Sequence, residues 1–412
     1  PLPLINNVTV DGGDYLDVIV LSGEDLRVFH GYHDTFKLRN ITITGGGLYA
    51  QGGQVEIDKC LFYNNVHSDS GGGLLLEQSG SSDVSLIVSD SIFNGNTSDR
   101  SGGAVSVQLD GETTGVFSFT NTLIDSNTAR HSGGGLAMTT GSFRDQIHPF
   151  TISGCRIVDN QSGTSAGGAY INGAFELNDC WIAGNTSSEN AGALYLTSDL
   201  SSTMTNCVIA GNSSERRTVY CKFDTYTGQS FSFKNITVSD NHLEDTESSV
   251  LLVDLGDDDV MTLTNSILWN PDISEISLSD MNNLTVSYSC IQDGYPGIGN
   301  LQSDPLFVDS STYQLQGISP CIDTGLDLDI TTDANGNKRP QGGAIDIGAF
   351  EYPGWPDAWR TYVDMPGHMI LSWDPFWCNV QVWNPQQTAN HEMPLFVILN
   401  VFGEYLFAPS FN

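Results

Sequence analysis

A phrase repeated three times between Cys155 and Asn212 constrains this chain more than any bulk property: Cys155-Arg-Ile-Val-Asp-Asn160, Cys180-Trp-Ile-Ala-Gly-Asn185 and Cys207-Val-Ile-Ala-Gly-Asn212. Each copy reads Cys, any residue, Ile, two residues, Asn. Relaxing the first position adds copies that begin at Cys60, Ser91, Thr122, Ile236 and Asn265. The final Asn then falls at Asn65, Asn96, Asn127, Asn160, Asn185, Asn212, Asn241 and Asn270, at intervals of 31, 31, 33, 25, 27, 29 and 29 residues. A glycine phrase keeps step with it, from Gly71-Gly-Gly-Leu74 through Gly102-Gly-Ala-Val105 and Gly133-Gly-Gly-Leu136 to Gly167-Gly-Ala-Tyr170 and Ala191-Gly-Ala-Leu194. A fixed period of this length means a stack of similar units, each touching only its neighbours.

The pieces between the phrases alternate with period two and are rich in Val, Ile, Thr and Phe, as in Val84-Ser-Leu-Ile-Val88 and Phe117-Ser-Phe119. No apolar pattern at three and four residues is sustained, which excludes helices as the main element. The remaining solution is all-β, a parallel β-helix of roughly ten coils, ~50 Å long at one strand spacing per coil. Its corner Asn is expected to take a left-handed backbone and to bond amide to amide between coils. Paired glycines permit positive φ where the chain leaves that corner. Cys155, Cys180 and Cys207 share one phase and should form a column of small apolar side chains.

Composition narrows the partners. The chain has 412 residues, with 49 Asp and Glu against 15 Lys and Arg, a formal charge of −34. Such a surface repels nucleic acid and anionic membranes. It suits a salty exterior or divalent cations, and a content of only 16% charged residues fits an extracellular or cell-surface β protein. No run of 18 apolar residues occurs, so no membrane-spanning helix is expected. No basic and apolar leader opens the chain, so a signal peptide is expected to have been removed or left off. The eight cysteines match no zinc spacing. Cys290 and Cys321, both near the end of the coils, either fasten it as a disulfide or stay free. Residues 1–47 read as entry coils without a capping helix, which implies either an upstream truncation or a covering molecule.

Beside the corner, successive coils carry Asp69, Asp99 with Arg100, Arg130 with His131, Glu189, and Glu215 with Arg216 and Arg217. Stacking lines these up on one flank. Asp69 and Asp99 offer the paired carboxylates a glycosidase needs, with His131 as acid or base. The preferred reading is a solvated turn carrying charge for solubility. An insert from Gly141 to Phe150 is a side loop that walls a groove or merely decorates it. The N-x-S/T matches at Asn96, Asn160, Asn185 and Asn212 fall on ladder residues, so glycosylation there is not expected. Two acidic loops, Asp257, Asp258 and Asp259, then Asp327, Asp329 and Asp333, have the oxygen-rich character Ca²⁺ uses, without the twelve-residue loop spacing. No other cofactor is indicated.

Asp304-Pro-Leu-Phe-Val-Asp309, Ser319-Pro-Cys-Ile-Asp323 and Asp346-Ile-Gly-Ala-Phe-Glu351 resemble the closing segment of secreted bacterial proteins with right-handed parallel β-helix repeats. The resemblance covers residues 1–352 and implies right-handed coiling and export. It implies no single activity, because the scaffold carries lyases, hydrolases, adhesins and passive surface proteins. In this segment Arg339 is placed to pair with Asp333 or Asp346 as a structural clasp.

After Tyr352 the composition changes, with five of the seven Trp between Trp355 and Trp383. Residues 353–412 read as a short aromatic β segment, similar to part of the small sandwich domains that follow such repeats. Trp355, Trp359, Phe396, Phe402, Tyr405 and Phe407 are its candidates for docking or strand addition to another copy or another surface protein. Two functions survive. One is a non-catalytic structural or adhesive rod, assembling head to tail through its termini or contacting glycans. The other is a polysaccharide-active enzyme, a neutral-glycan hydrolase before a uronate lyase, since the net charge repels a polyanion. Sugar-stacking aromatics are expected beside such a site, whereas the Trp lie at the C-terminus. The non-catalytic reading is preferred.

Overall fold

The computed structural model describes residues 2–4, 8–13, 20–22, 27, 29–32, 35–79, 82–110, 113–140, 149–198, 200–223, 228–256, 258–279, 283–354, 360–364, 379–383, 398–401 and 404–407. The chain divides into two compact units, Pro1–Tyr352 and Pro353–Asn412. No described residue lies in a helix. In the first unit every strand ladder is parallel, and each coil gives one strand to each of three sheets. A typical coil runs Leu74–Ser79 in the first sheet, Ser82–Ser89 in the second and Ile92–Asn94 in the third. It then turns at Asn96 into a two-residue strand, Thr97–Ser98, before the next glycine phrase. Eleven strands stack in the first sheet.

The solenoid is therefore the one its period demanded. Alternate side chains enter a single continuous core: Leu74, Leu76, Leu86, Val88 and Phe93 all have 0% exposure. Phe62 and Phe93, in register on adjacent third-sheet strands, stack with centroids 4.4 Å apart.

At the corner the asparagine ladder is complete. Asn65 donates both its backbone N–H and its Nδ2 to Asn96 Oδ1, at 3.1 and 2.8 Å. The same pair of bonds repeats from Asn96 to Asn127, Asn127 to Asn160, and onward to Asn241 and Asn270. Each Nδ2 also reaches a third-sheet carbonyl, as Asn96 does to Phe62 at 3.0 Å. Buried amides are tolerable because both donor and acceptor are used.

Two expectations need correction. The ladder Asn is not the left-handed residue. Positive φ falls one position earlier, at Asn64, Gly95, Ser126, Asp159, Gly184, Gly211 and Asp240. That residue makes the bend, which leaves the ladder Asn free to point its amide inward. The Cys column is also not simply apolar. Its phase runs Cys60, Ser91, Thr122, Cys155, Cys180, Cys207, and the thiols and hydroxyls alike donate to the carbonyl two residues back, as Ser91 does to Ser89 at 2.7 Å and Cys180 to Asn178 at 3.2 Å. Downstream, Ser266 rather than Asn265 occupies this phase, for Ile236 N–H donates to Ser266 Oγ at 3.3 Å. The position asks for a small side chain with one donor. Burial pushes the Cys60 thiol up to about 11 and the Cys155 thiol higher still.

Residues 292–352 fold back along the outer face of the third sheet. Tyr313 and Phe350 pack on Trp181, at 6.0 and 6.3 Å between centroids. Asn265 exchanges two side-chain bonds with the backbone of Leu326, and Tyr313 Oη donates to Asp240 at 3.0 Å. Arg339 is the clasp, but its carboxylate partner is Glu351, at 2.9 Å with both side chains buried. Asp346 offers Arg339 only its backbone carbonyl, at 3.1 Å. Its carboxylate is occupied by the N–H groups of Asp323 and Tyr352, and Asp333 takes those of Asn335, Asn337 and Glu351. Cys290 and Cys321 share one buried cluster as free thiols.

The second unit contains two antiparallel pairs, Arg360–Asp364 with Asn379–Trp383 and Ile398–Val401 with Glu404–Phe407. Tyr405 and Phe407 lie on the last strand. Trp355, Trp359, Phe396 and Phe402 lie outside the described residues, as does most of the 141–150 insert.

Candidate functional site

Strand register builds the site. On the outer face of the first sheet the paired residues run Tyr49, Leu75, Ser106, Ala137, Tyr170, Tyr195, Tyr220 from coil to coil. Large side chains stand at both ends and small ones in the middle. Tyr170 and Tyr195 stack at 5.1 Å, and Tyr195 meets Tyr220 edge to face at 4.7 Å. The guanidinium of Arg217 lies 5.4 Å from the Tyr220 ring, and the Tyr220 hydroxyl donates to Asp254 at 2.9 Å. Burial and this bond raise the phenol's proton affinity, so it stays a neutral donor. These half-buried rings form an aromatic column on the first sheet that the Trp distribution did not indicate. A partial signal was present in the sequence: Tyr170 and Tyr195 each stand three residues after a glycine of the phrase, Gly167 and Gly192, whereas Tyr220 follows Arg217-Thr-Val with no glycine.

Where the column drops to Ser106 and Ala137, the surface sinks into a cavity of about 640 Å³. Its floor is Ser106 and Ala137, its wall Tyr170, and its sides Gln108 and Thr139 on one hand and the turn residues Ser70, Arg100, Ser101, His131 and Ser132 on the other. Hydroxyl and amide groups dominate, and no carboxylate is among its described lining residues. A smaller hollow of about 390 Å³ adjoins it, sharing Gln108 and Thr139 and bordered by Glu77 and Asp110. Glu77 accepts from the Tyr49 hydroxyl at 2.9 Å.

The charged flank is only partly drawn together. Arg100 and His131 reach the cavity. Asp69 instead holds Arg100 Nε at 3.4 Å and accepts from the Ser70 N–H at 2.8 Å. Asp99 and Arg130 are exposed, and neither lines the cavity. Glu215 pairs with its neighbour Arg216 at 3.7 Å, away from the rest. Beneath the Ser70 turn, buried Arg27 donates to the carbonyls of Ser70 and Gly71. Burial lowers it to about 10, which still leaves it a cation at neutral pH.

The acidic loops do not converge. Asp259 is buried and accepts from the N–H groups of Gln229 and Gly256, Asp327 from that of Asp329, and Asp258 is exposed. Asp257 lies outside the described residues. Carboxylates already taken by N–H donors are poorly placed for Ca²⁺, and among the described residues no three His, Cys, Asp or Glu side chains form a metal-holding group. No described helix is long and apolar enough to cross a membrane.

A carboxylate that sequence reasoning missed ends the ladder. Glu275, with 0% exposure, accepts from the Asn270 N–H at 2.5 Å and from Asn270 Nδ2 at 2.9 Å, standing where the next ladder amide would be. Burial pushes its acid up to about 8.

Comparison with protein-family models and with curated proteins finds no match for this chain.

Proposed function

We propose that this protein is a non-catalytic, extracellular or cell-surface β-helix that binds a glycan along the outer face of its first sheet. One observation carries the reading: the stacked Tyr170, Tyr195 and Tyr220 run in line with a hydroxyl- and amide-lined cavity. Flat rings beside convergent polar groups are what a pyranose needs, apolar C–H faces against aromatic carbon and hydroxyls against fixed donors and acceptors. An extended glycan advances by about one strand spacing per ring, so a chain along the rod meets one coil after another. The adhesive reading is also favoured by Asp69, which is committed to Arg100 and Ser70 rather than aimed at the cavity.

Calorimetric titration with oligosaccharides tests this. Wild-type protein should bind at least one of a panel of neutral and acidic oligosaccharides and release no new reducing ends. Tyr170→Ala should weaken binding roughly tenfold, the scale of one lost stacking partner of ~1 kcal/mol or more, and Tyr195→Ala, which removes the ring behind Tyr170, should weaken it less. Failure of the wild type to bind any of them would sink the proposal.

A hydrolase reading moves to the smaller hollow. Glu77 pairs in register with Gln108, so Asp110 lies one strand over and two residues on. That places the two Cα atoms about 8 Å apart on one face of the sheet, with both residues bordering the hollow as an acid-base pair would require. Release of reducing ends by the wild type, lost in Glu77→Gln and Asp110→Asn, would replace the binding reading.

A further inference from the structure

We propose that the cavity over Ser106 and Ala137 is a pocket for one anionic ring of that glycan, a sugar bearing a carboxylate or sulfate, held by Arg100 and His131 with Tyr170 against its face. The inference rests on the glycan-binding reading and adds the chemical class of ring.

Shape comes first. Ser106 and Ala137 are two adjacent small residues in the column, flanked in register by Tyr49 and Leu75 on one side and by Tyr170, Tyr195 and Tyr220 on the other. Both are short side chains recessed below their neighbours, at 1% and 3% exposure, with few rotatable bonds to shift. The gap is two coils long, about two strand spacings, which suits one ring and its substituent. Tyr170 closes one end.

Charge gives the class. The chain carries 49 acidic residues against 15 basic ones, yet Arg100 lines this cavity and no carboxylate is among its described lining residues. Arg100 reaches the cavity and is bound to Asp69 through Nε. That single contact leaves the Nη edge of the guanidinium, the geometry that takes an oxyanion in two parallel bonds. His131 stands on the next coil, one repeat of 31 residues on, its backbone N–H bonded to the Arg100 carbonyl at 2.9 Å. Asp69 and Asp99 belong to the same turns but do not line the cavity. The repulsion of the whole chain does not defeat this local attraction. At physiological salt, fields decay over ~8 Å, so the ring's anion responds mainly to the groups it touches.

The test uses three trimers of one linkage: a hexuronate, a 6-sulfated hexose, and the neutral hexose made by reducing the hexuronate carboxyls. Affinities are measured by calorimetry at 0.15 M salt for the wild type, Arg100→Gln, Asp69→Asn and Ala137→Tyr. We expect one anionic trimer to bind about tenfold tighter than the neutral one, and which of the two does so names the anion. Arg100→Gln should erase that preference, while Asp69→Asn, which frees the guanidinium, should preserve or enlarge it. A purely structural ion pair would make both variants fail alike. Ala137→Tyr, which continues the column across the gap, should also erase the preference. Equal binding of all three trimers overturns the anionic pocket while leaving the glycan-binding face standing. No binding by any of them overturns both.

Discussion

At the scale of single residues, the interior is governed by hydrogen-bond completeness. Asn160 accepts two bonds from Asn127 and gives two to Asn185, plus one to the Ile124 carbonyl. Asn160→Ala leaves buried donors on Asn127 unmet, each costing about 1–3 kcal/mol, so a loss of about 3 kcal/mol or more is expected in urea denaturation. Cys180→Ser should cost under about 1 kcal/mol in the same measurement, because serine already fills that phase at Ser91 and Ser266 with the same backbone bond. Glu275 predicts a pH dependence. Its folded-state acid lies at about 8, above the ordinary 4.5, so between those values the folded chain holds a proton that the unfolded chain has lost. Stability from this group is therefore full below pH 4.5 and falls as pH rises toward 8. Asp346, raised by burial to about 7, adds a slope of the same sign over pH 3.8 to 7. Glu275→Gln can still accept both Asn270 bonds through one oxygen, as every ladder amide does. The variant should lose less stability than wild type between pH 5 and pH 8, and an unchanged slope would refute the assignment.

At the scale of elements, the closing segment and the coils are held by different physics. The coils share backbone ladders and a continuous apolar core. Residues 323–352 have few ladder bonds and depend on Arg339, whose guanidinium joins Glu351 to the carbonyls of Asp346 and Gly348. Removing one partner of a buried ion pair strands the other and costs about 3–5 kcal/mol. Arg339→Leu is therefore expected to raise hydrogen exchange across 323–352 while the amides of the central coils stay protected. Uniform deprotection of both regions would show that the segment and the coils unfold as one unit.

At the scale of the whole molecule, the solenoid repeats one set of contacts from coil to coil, so a residue's place in the coil decides whether it faces the core, the corner or the outer surface. The period, the parallel β architecture, the ladder and the small-residue column were legible because stacking imposes the same few side chains on every coil. Each such residue announces itself by repetition, as Asn65 through Asn270 do. Cross-coil choices were not legible. Whether Arg339 meets Asp333, Asp346 or Glu351 depends on how a non-repeating segment folds back, and no spacing encodes that. Glu275 ends the ladder from five residues beyond Asn270, a one-time substitution that a repeat cannot signal. Tyr170 and Tyr195 stand at one offset from the glycine phrase, but Tyr220 follows no such phrase, and coils of 25 to 33 residues hide the column's alignment until register is known. Conversely, Asp69, Arg100 and His131 share one sequence phase and Asp99 and Arg130 the position before it, yet only Arg100 and His131 line the cavity, because side-chain direction at a turn is set by local backbone and neighbours. By itself, then, the sequence determined the repeating scaffold, whose contacts lie one period apart. Tertiary structure alone decided the site and the clasp, whose contacts join residues in no fixed relation along the chain.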